Sequence, residues 1–132
     1  MNAVSLLRPP GLVNSPAYSH VAVVPPGSTT IHVGGQNAVD ESGKLVGEGD
    51  PVTQMKQVIH NLRTALSAAD ATLSDVLSWS VYVVDGVDLS EAYAVVADAL
   101  DGEPPLVTVA VVSKLAVPGA LMEVGVTAAV QR

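Results

Sequence analysis

Between Asp50 and Leu66, apolar side chains return every three or four positions, at Val52, Met55, Val58, Ile59, Leu62 and Leu66. That spacing predicts an amphipathic helix with one buried stripe. Asp50 can cap its first turn, and Pro51 suits the first helical position. Thr53, Lys56, Gln57, His60, Arg63 and Thr64 fall largely off the stripe. A second helix is expected from Leu89, Ala92, Tyr93, Val96 and Leu100, with Asp88 and Glu91 at capping-box spacing and Gly102 ending it. Strands are expected at Tyr18–Val24, Thr29–Val33, Val76–Val84, Leu106–Val112 and Ala120–Val130, where β-branched residues concentrate. Pro25-Pro26-Gly27-Ser28, Asp40–Lys44 and Ser113–Gly119 punctuate them, Thr72 and Asp75 suit a short capped turn, and residues 1–16, with Pro9, Pro10, Gly11 and Pro16, read as an extended arm.

The order is strand, strand, helix, strand, helix, strand, strand. The economical packing lays both helices on one face of a mixed sheet, an α/β sandwich of the α+β kind. The opposite face then lacks a third layer within one copy, which predicts self-association. All 132 residues are expected to form one domain.

Composition narrows the partners. Hydrophobic residues make up 48% of the chain and charged ones 14%, apolar for a small domain, and spare apolar surface favours a homo-oligomer. The net charge is −7, with the six cations scattered at Arg8, Lys44, Lys56, Arg63, Lys114 and Arg132, so nucleic acid is not an expected partner. No apolar run approaches a membrane span, Met1–Pro10 lacks the core of a secretory signal, and a cytoplasmic protein is expected. With no cysteine there is no disulfide, thiol nucleophile or thiolate metal site. His20 and His32 could meet across a hairpin, but with His60 remote they make no zinc set, and neither metal nor cofactor is expected. Gly34-Gly35 follows a strand without opening a phosphate-binding helix.

One residue breaks the apolar pattern. Glu123 stands inside Ala120-Leu121-Met122-Glu123-Val124-Gly125-Val126. Period two puts Leu121, Glu123, Gly125 and Thr127 on one face and Ala120, Met122, Val124 and Val126 on the other. A carboxylate here faces water, pairs with a partner, or handles a proton in a small-molecule pocket. Gly34 and Gly35 would allow close backbone approach, or simply turn the end of a strand.

Several segments together resemble the Rid family (YjgF/YER057c/UK114, also labelled endoribonuclease L-PSP), small trimeric reactive-imine deaminases. They are Ser15-Pro16-Ala17-Tyr18-Ser19, Val33-Gly34-Gly35-Gln36, Thr53 through Asn61-Leu62, Ser80-Val81-Tyr82-Val83-Val84-Asp85, and Pro104-Pro105 through Pro118-Gly119-Ala120-Leu121-Met122-Glu123-Val124. The resemblance spans nearly the whole chain. It implies a chorismate-mutase-like fold whose three subunits press their sheets into a central barrel, with sites in the subunit clefts. It also implies that Glu123 orients the water attacking an imine and that Tyr18 lines the pocket. Gly35, Gln36, Leu106 and Thr108 would complete the wall. Leu106 stands where active members carry the arginine that anchors a substrate carboxylate, and Tyr93 where asparagine is common. The loop before Glu123 is about two residues longer than is typical. Either the substrate differs, or Lys114 in that loop supplies the charge, or deaminase activity has been lost. The leading expectation is an interfacial pocket for a small carbonyl- or imine-bearing metabolite, with hydrolysis of C=N bonds. The alternative is a non-catalytic metabolite-binding protein, and a ribonuclease role fits the acidic chain least.

Overall fold

In the computed structural model, which describes residues 4–132, helix α1 runs Pro51–Ser67 as its stripe requires. Asp50 caps it, accepting from the Val52 and Thr53 N–H groups and, at 2.7 Å, from the Thr53 hydroxyl. Met55, Val58, Ile59, Leu62 and Leu66 are all buried. Strands β3 (Ser28–Gln36), β4 (Val76–Val84), β5 (Leu106–Val112) and β6 (Met122–Gln131) form a sheet of order β3-β6-β4-β5. Helix α2 (Ser90–Ala99) connects β4 to β5, which pair in parallel, while β6 pairs antiparallel with β3 and β4. A parallel pair needs such a crossover, and the helix supplies it.

The alternation expected along β6 is present. Met122, Val124, Val126 and Ala128 are buried and join Trp79 and the α1 stripe in one hydrophobic core. Glu123, Gly125 and Thr127 take the other face, in register with Tyr82, Ser80 and Ser78 of β4. Beyond them, the register of β5 adds Ala110, Thr108 and Leu106. This open face is small and polar around the exposed Tyr82. The exposed valines 107, 109 and 111 lie in register with Trp79, Val81 and Val83 instead, on the helix side of the edge strand.

Three expectations need correction. The strand expected at 18–24 contracts to β2 (Val21–Val23), which pairs with β1 (Ser5–Leu7) in a separate two-stranded sheet. The proline-rich arm therefore holds a strand, and the hairpin that would have joined His20 to His32 does not form. Residues 1–3 of that arm lie outside the described residues. Secondly, α2 has no capping box: Asp88 accepts from both the N–H and the hydroxyl of Ser90, two residues on, and the helix begins at Ser90. Tyr93, assigned to the buried stripe, is half exposed.

Candidate functional site

Glu123 sits in the second position of β6, half-buried on the open face beside Tyr82. Its carboxyl end lies over the backbone of Gly35. A Cβ added there would stand 2.8 Å from Cδ and 2.9 Å from Cγ of Glu123, closer than atoms tolerate. The absent side chain is what gives the carboxylate its place. The local backbone explains the contact. Val33 pairs with Val126 and Gln36 with Val124, so β3 spends one more residue than β6 across this interval, a β-bulge at Gly34-Gly35.

The same bulge moves Gln36. Unbulged alternation would bring it opposite Glu123; the extra residue sets it opposite Val124, on the helix side of the sheet. There it borders a hollow with Asp40, Gln57, His60 and Asn61, and its amide donates to the Gly34 carbonyl at 3.3 Å. Gln36 and Glu123 are therefore on opposite faces, against the expectation that they share a wall.

Tyr18 lies in a segment tied to the start of the strand that carries Leu106 and Thr108, and Thr108, opposite Ser80, stands midway between Leu106 and the level of Glu123. Ser19 donates through its backbone N–H to Pro105 at 3.0 Å and through its hydroxyl to Pro104 at 2.6 Å, which ties the Tyr18 segment to the start of β5. Arg8 reinforces this tie by an ion pair with Glu103 at 3.0 Å. The Tyr18 ring stands edge-on to His20, with centroids 5.3 Å apart. Leu106 is half-buried on the open face and pairs with Ser78, whereas Glu123 pairs with Tyr82, four residues along the same strand. At about 3.3 Å per residue and about 4.8 Å per strand, the Leu106 and Glu123 backbones are roughly 16 Å apart within one copy. Lys114 is exposed just past β5, at the Glu123 end, where it borders the 114–121 loop hollow.

Pattern reading missed the residue that holds this end together. Gln54 is completely buried on α1. Its amide donates to the carbonyls of Gly47 at 3.1 Å and Gly119 at 3.0 Å, and its oxygen accepts from the Leu121 N–H at 2.9 Å. It therefore fixes the loop that delivers Glu123. Asn61, two turns along the same face of α1, does similar work, donating to the carbonyls of Asn37 at 3.1 Å and Val39 at 2.9 Å. The one available signal for Gln54 was its place next to Met55 on the stripe's flank. Among the described residues, no group of three His, Asp or Glu side chains is placed to hold a metal ion.

Two helices on one face of a mixed four-stranded sheet make an α+β fold of a known class. Residues 12–130 match the endoribonuclease L-PSP family, and the chain belongs to that family, also called Rid or YjgF. It is 35% identical over 86 residues to a RutC family protein of Pyrococcus abyssi, covering 64% of this chain and 67% of the relative. A RutC family protein of Sulfurisphaera tokodaii is 31% identical over 97 residues, covering 74% of this chain and 77% of that one. Among solved structures, the Rid-family protein YyfB of Yersinia pestis is similar with a TM-score of 0.85 and 29% identity, covering 96% of this chain and 98% of that one. The yeast protein YEO7 gives 0.71 at 26% identity, covering 98% and 100%.

Proposed function

We propose that the chain assembles as a homotrimer and binds a small carbonyl- or imine-bearing metabolite between subunits, with Glu123 directing water onto a C=N carbon. The carrying observation is the Glu123 carboxylate, half-buried above the bare backbone of Gly35 and beside Tyr82. A carboxylate held there can accept a proton from water as the oxygen attacks the imine carbon. Glu123 then returns that proton to the nitrogen, and the tetrahedral carbinolamine collapses, its C–N bond breaking to release ammonia or an amine as its hydroxyl gives up a proton and becomes the carbonyl. The roughly 16 Å between Leu106 and Glu123 supports a cleft in which one copy offers the Tyr18–Leu106 end and another the Glu123 end. Leucine cannot form the two parallel hydrogen bonds by which arginine holds a carboxylate, so substrates lacking a carboxylate are favoured.

Leu106 also carries the second reading, a metabolite-binding protein that does no chemistry. One assay separates them. Imines with and without a carboxylate are generated in situ, and carbonyl release is followed with wild type and Glu123→Gln. Faster release from the uncharged imine, lost in the folded variant, supports hydrolysis. Saturable binding with no acceleration over buffer supports the binding protein. Rapid turnover of the carboxylated imine would mean that another group, with Lys114 the nearest cation past β5, replaces the arginine.

A further inference from the structure

On the open face, Tyr82 stands directly across from Glu123, the two side chains rooted roughly 5 Å apart. Tyr82 is 44% exposed, so much of its ring stands clear of the sheet. The next row of this face, two residues along each strand and about 6.6 Å away, holds Thr108, Ser80 and Gly125. All three are small. Towards β3 the row ends at the bulge, where a Cβ on Gly125 would stand 3.4 Å from the Val33 carbonyl oxygen. The row beyond it holds Leu106, opposite Ser78. The face is thus a trough with a floor of short side chains, closed at one end by the Tyr82 ring beside the carboxylate and at the other by Leu106. Apart from Glu123, no charged residue stands in these rows across β5, β4 and β6. A flat ligand standing on the Ser80–Gly125 row meets the Tyr82 ring within the roughly 4.5–7 Å centroid separation at which aromatic rings attract each other. A saturated ring in the same place gains no such attraction.

We infer that Tyr82 sets the specificity of the site proposed at Glu123. It selects an uncharged aromatic carbonyl or imine whose ring lies against its own, with the C=O or C=N bond toward the carboxylate. A second negative charge there would be repelled by Glu123, with no cation in these rows to offset it. The inference rests on the reading of Glu123 as the centre of that site.

Benzamide, an uncharged and unreactive aromatic carbonyl, is titrated into the full chain, with cyclohexanecarboxamide as its saturated counterpart. Binding is followed in proton–nitrogen correlation spectra. Benzamide is expected to bind roughly three- to tenfold more tightly, the worth of one aromatic pair, and to shift the Ser80, Tyr82 and Gly125 amides. Tyr82→Leu should remove the preference, and Tyr82→Phe, which keeps the ring, should retain it. Ser80→Val fills the floor and should weaken benzamide roughly fivefold or more, which serves if the leucine variant does not fold. Carbonyl release from the imine of benzaldehyde, measured in parallel, tests the chemistry at Glu123 separately. A benzamide preference that depends on Tyr82 supports the inference whether or not that imine is hydrolysed. Equal affinities, a preference that survives in folded Tyr82→Leu, unchanged binding in folded Ser80→Val, or no saturable shift at these amides would each overturn the role given to Tyr82. Glu123-dependent hydrolysis of an uncharged imine would then still leave the reading of Glu123 standing.

Discussion

Gln54→Leu tests whether one buried amide holds the loop beside Glu123. The substitution keeps the volume and removes three hydrogen bonds, to Gly47, Gly119 and Leu121. Their costs differ. Gly119 is exposed, so its carbonyl can turn to water, and Gly47 is half-buried. The Leu121 N–H lies at the entry to β6, next to the buried Ala120 and Met122, and loses its acceptor. An orphaned buried donor costs about 1–3 kcal/mol, and the other two bonds about 1 kcal/mol together, part of which the added apolar burial offsets. A loss of about 3 kcal/mol is therefore expected in urea unfolding, with the slope unchanged. Gln54→Glu sharpens the test. An ionised carboxylate keeps the Leu121 bond but faces two carbonyl oxygens, so it should be worse than leucine at pH 7. Because the folded state then favours the protonated acid, its folded pKa is raised, and the deficit should shrink as pH falls through that raised value toward about 4.3. A Gln54→Leu protein within about 0.5 kcal/mol of wild type, or a Gln54→Glu deficit that does not shrink on acidification, would refute the role given to this residue.

Gly35→Ala should leave the melting temperature nearly unchanged yet displace Glu123, because the obstruction falls on the far end of a flexible side chain; imine turnover or ligand binding should fall tenfold or more. The Thr53 hydroxyl and then its N–H hold the Asp50 carboxyl below its ordinary value of 3.8. That contribution is present above 3.8 and lost as pH falls through the lower folded value, so Asp50→Asn should flatten the acid limb of a melting-temperature profile. Leu106→Arg should create a small-carboxylate site, read as a rise in melting temperature with pyruvate or 2-oxobutyrate that wild type does not show. If substrates meet two copies, co-refolding Glu123→Gln with an inactive Leu106→Glu variant should restore about a quarter of the wild-type sites; a site within one chain restores none.

The helix α1 stripe, the full extent of β4 and β5 and the two faces of β6 were legible because burial on one side imposes a period on the sequence. Close approach was one of two readings the glycine pair allowed, the other being a turn at the end of a strand, and the contact falls at Gly35, since a Cβ at Gly34 would meet nothing within 4 Å. The bulge itself was not legible. Nothing in the order of residues tells which of two glycines carries the extra step, and that single step moves Gln36 to the other face. Gln54 escaped for a related reason. Polarity marks a residue as exposed unless its partners are known, and two of its three partners lie 65 and 67 residues away along the chain. The β1 strand escaped because its three residues lie in an arm dominated by prolines, and its partner β2 is equally short.

These features make the site separable into two halves with different physical origins. The Glu123 half is built by backbone: a bulge that removes bulk at Gly35, and a buried amide that fixes the approach to β6. Neither depends on the residue at 106. The Tyr18–Leu106 half is built by a tether, in which Ser19 and Arg8 hold the arm against the residues just before β5. An exchange of arginine for leucine at position 106 alters anchoring while leaving the carboxylate, its glycine platform and its loop support in place. If position 106 borders the proposed site, leucine offers a negatively charged substrate none of the attraction an arginine would, worth several kcal/mol when desolvated. Water attack needs only the other half. On the proposed reading, such an arrangement suits hydrolysis of a C=N bond in substrates held by shape and apolar contact.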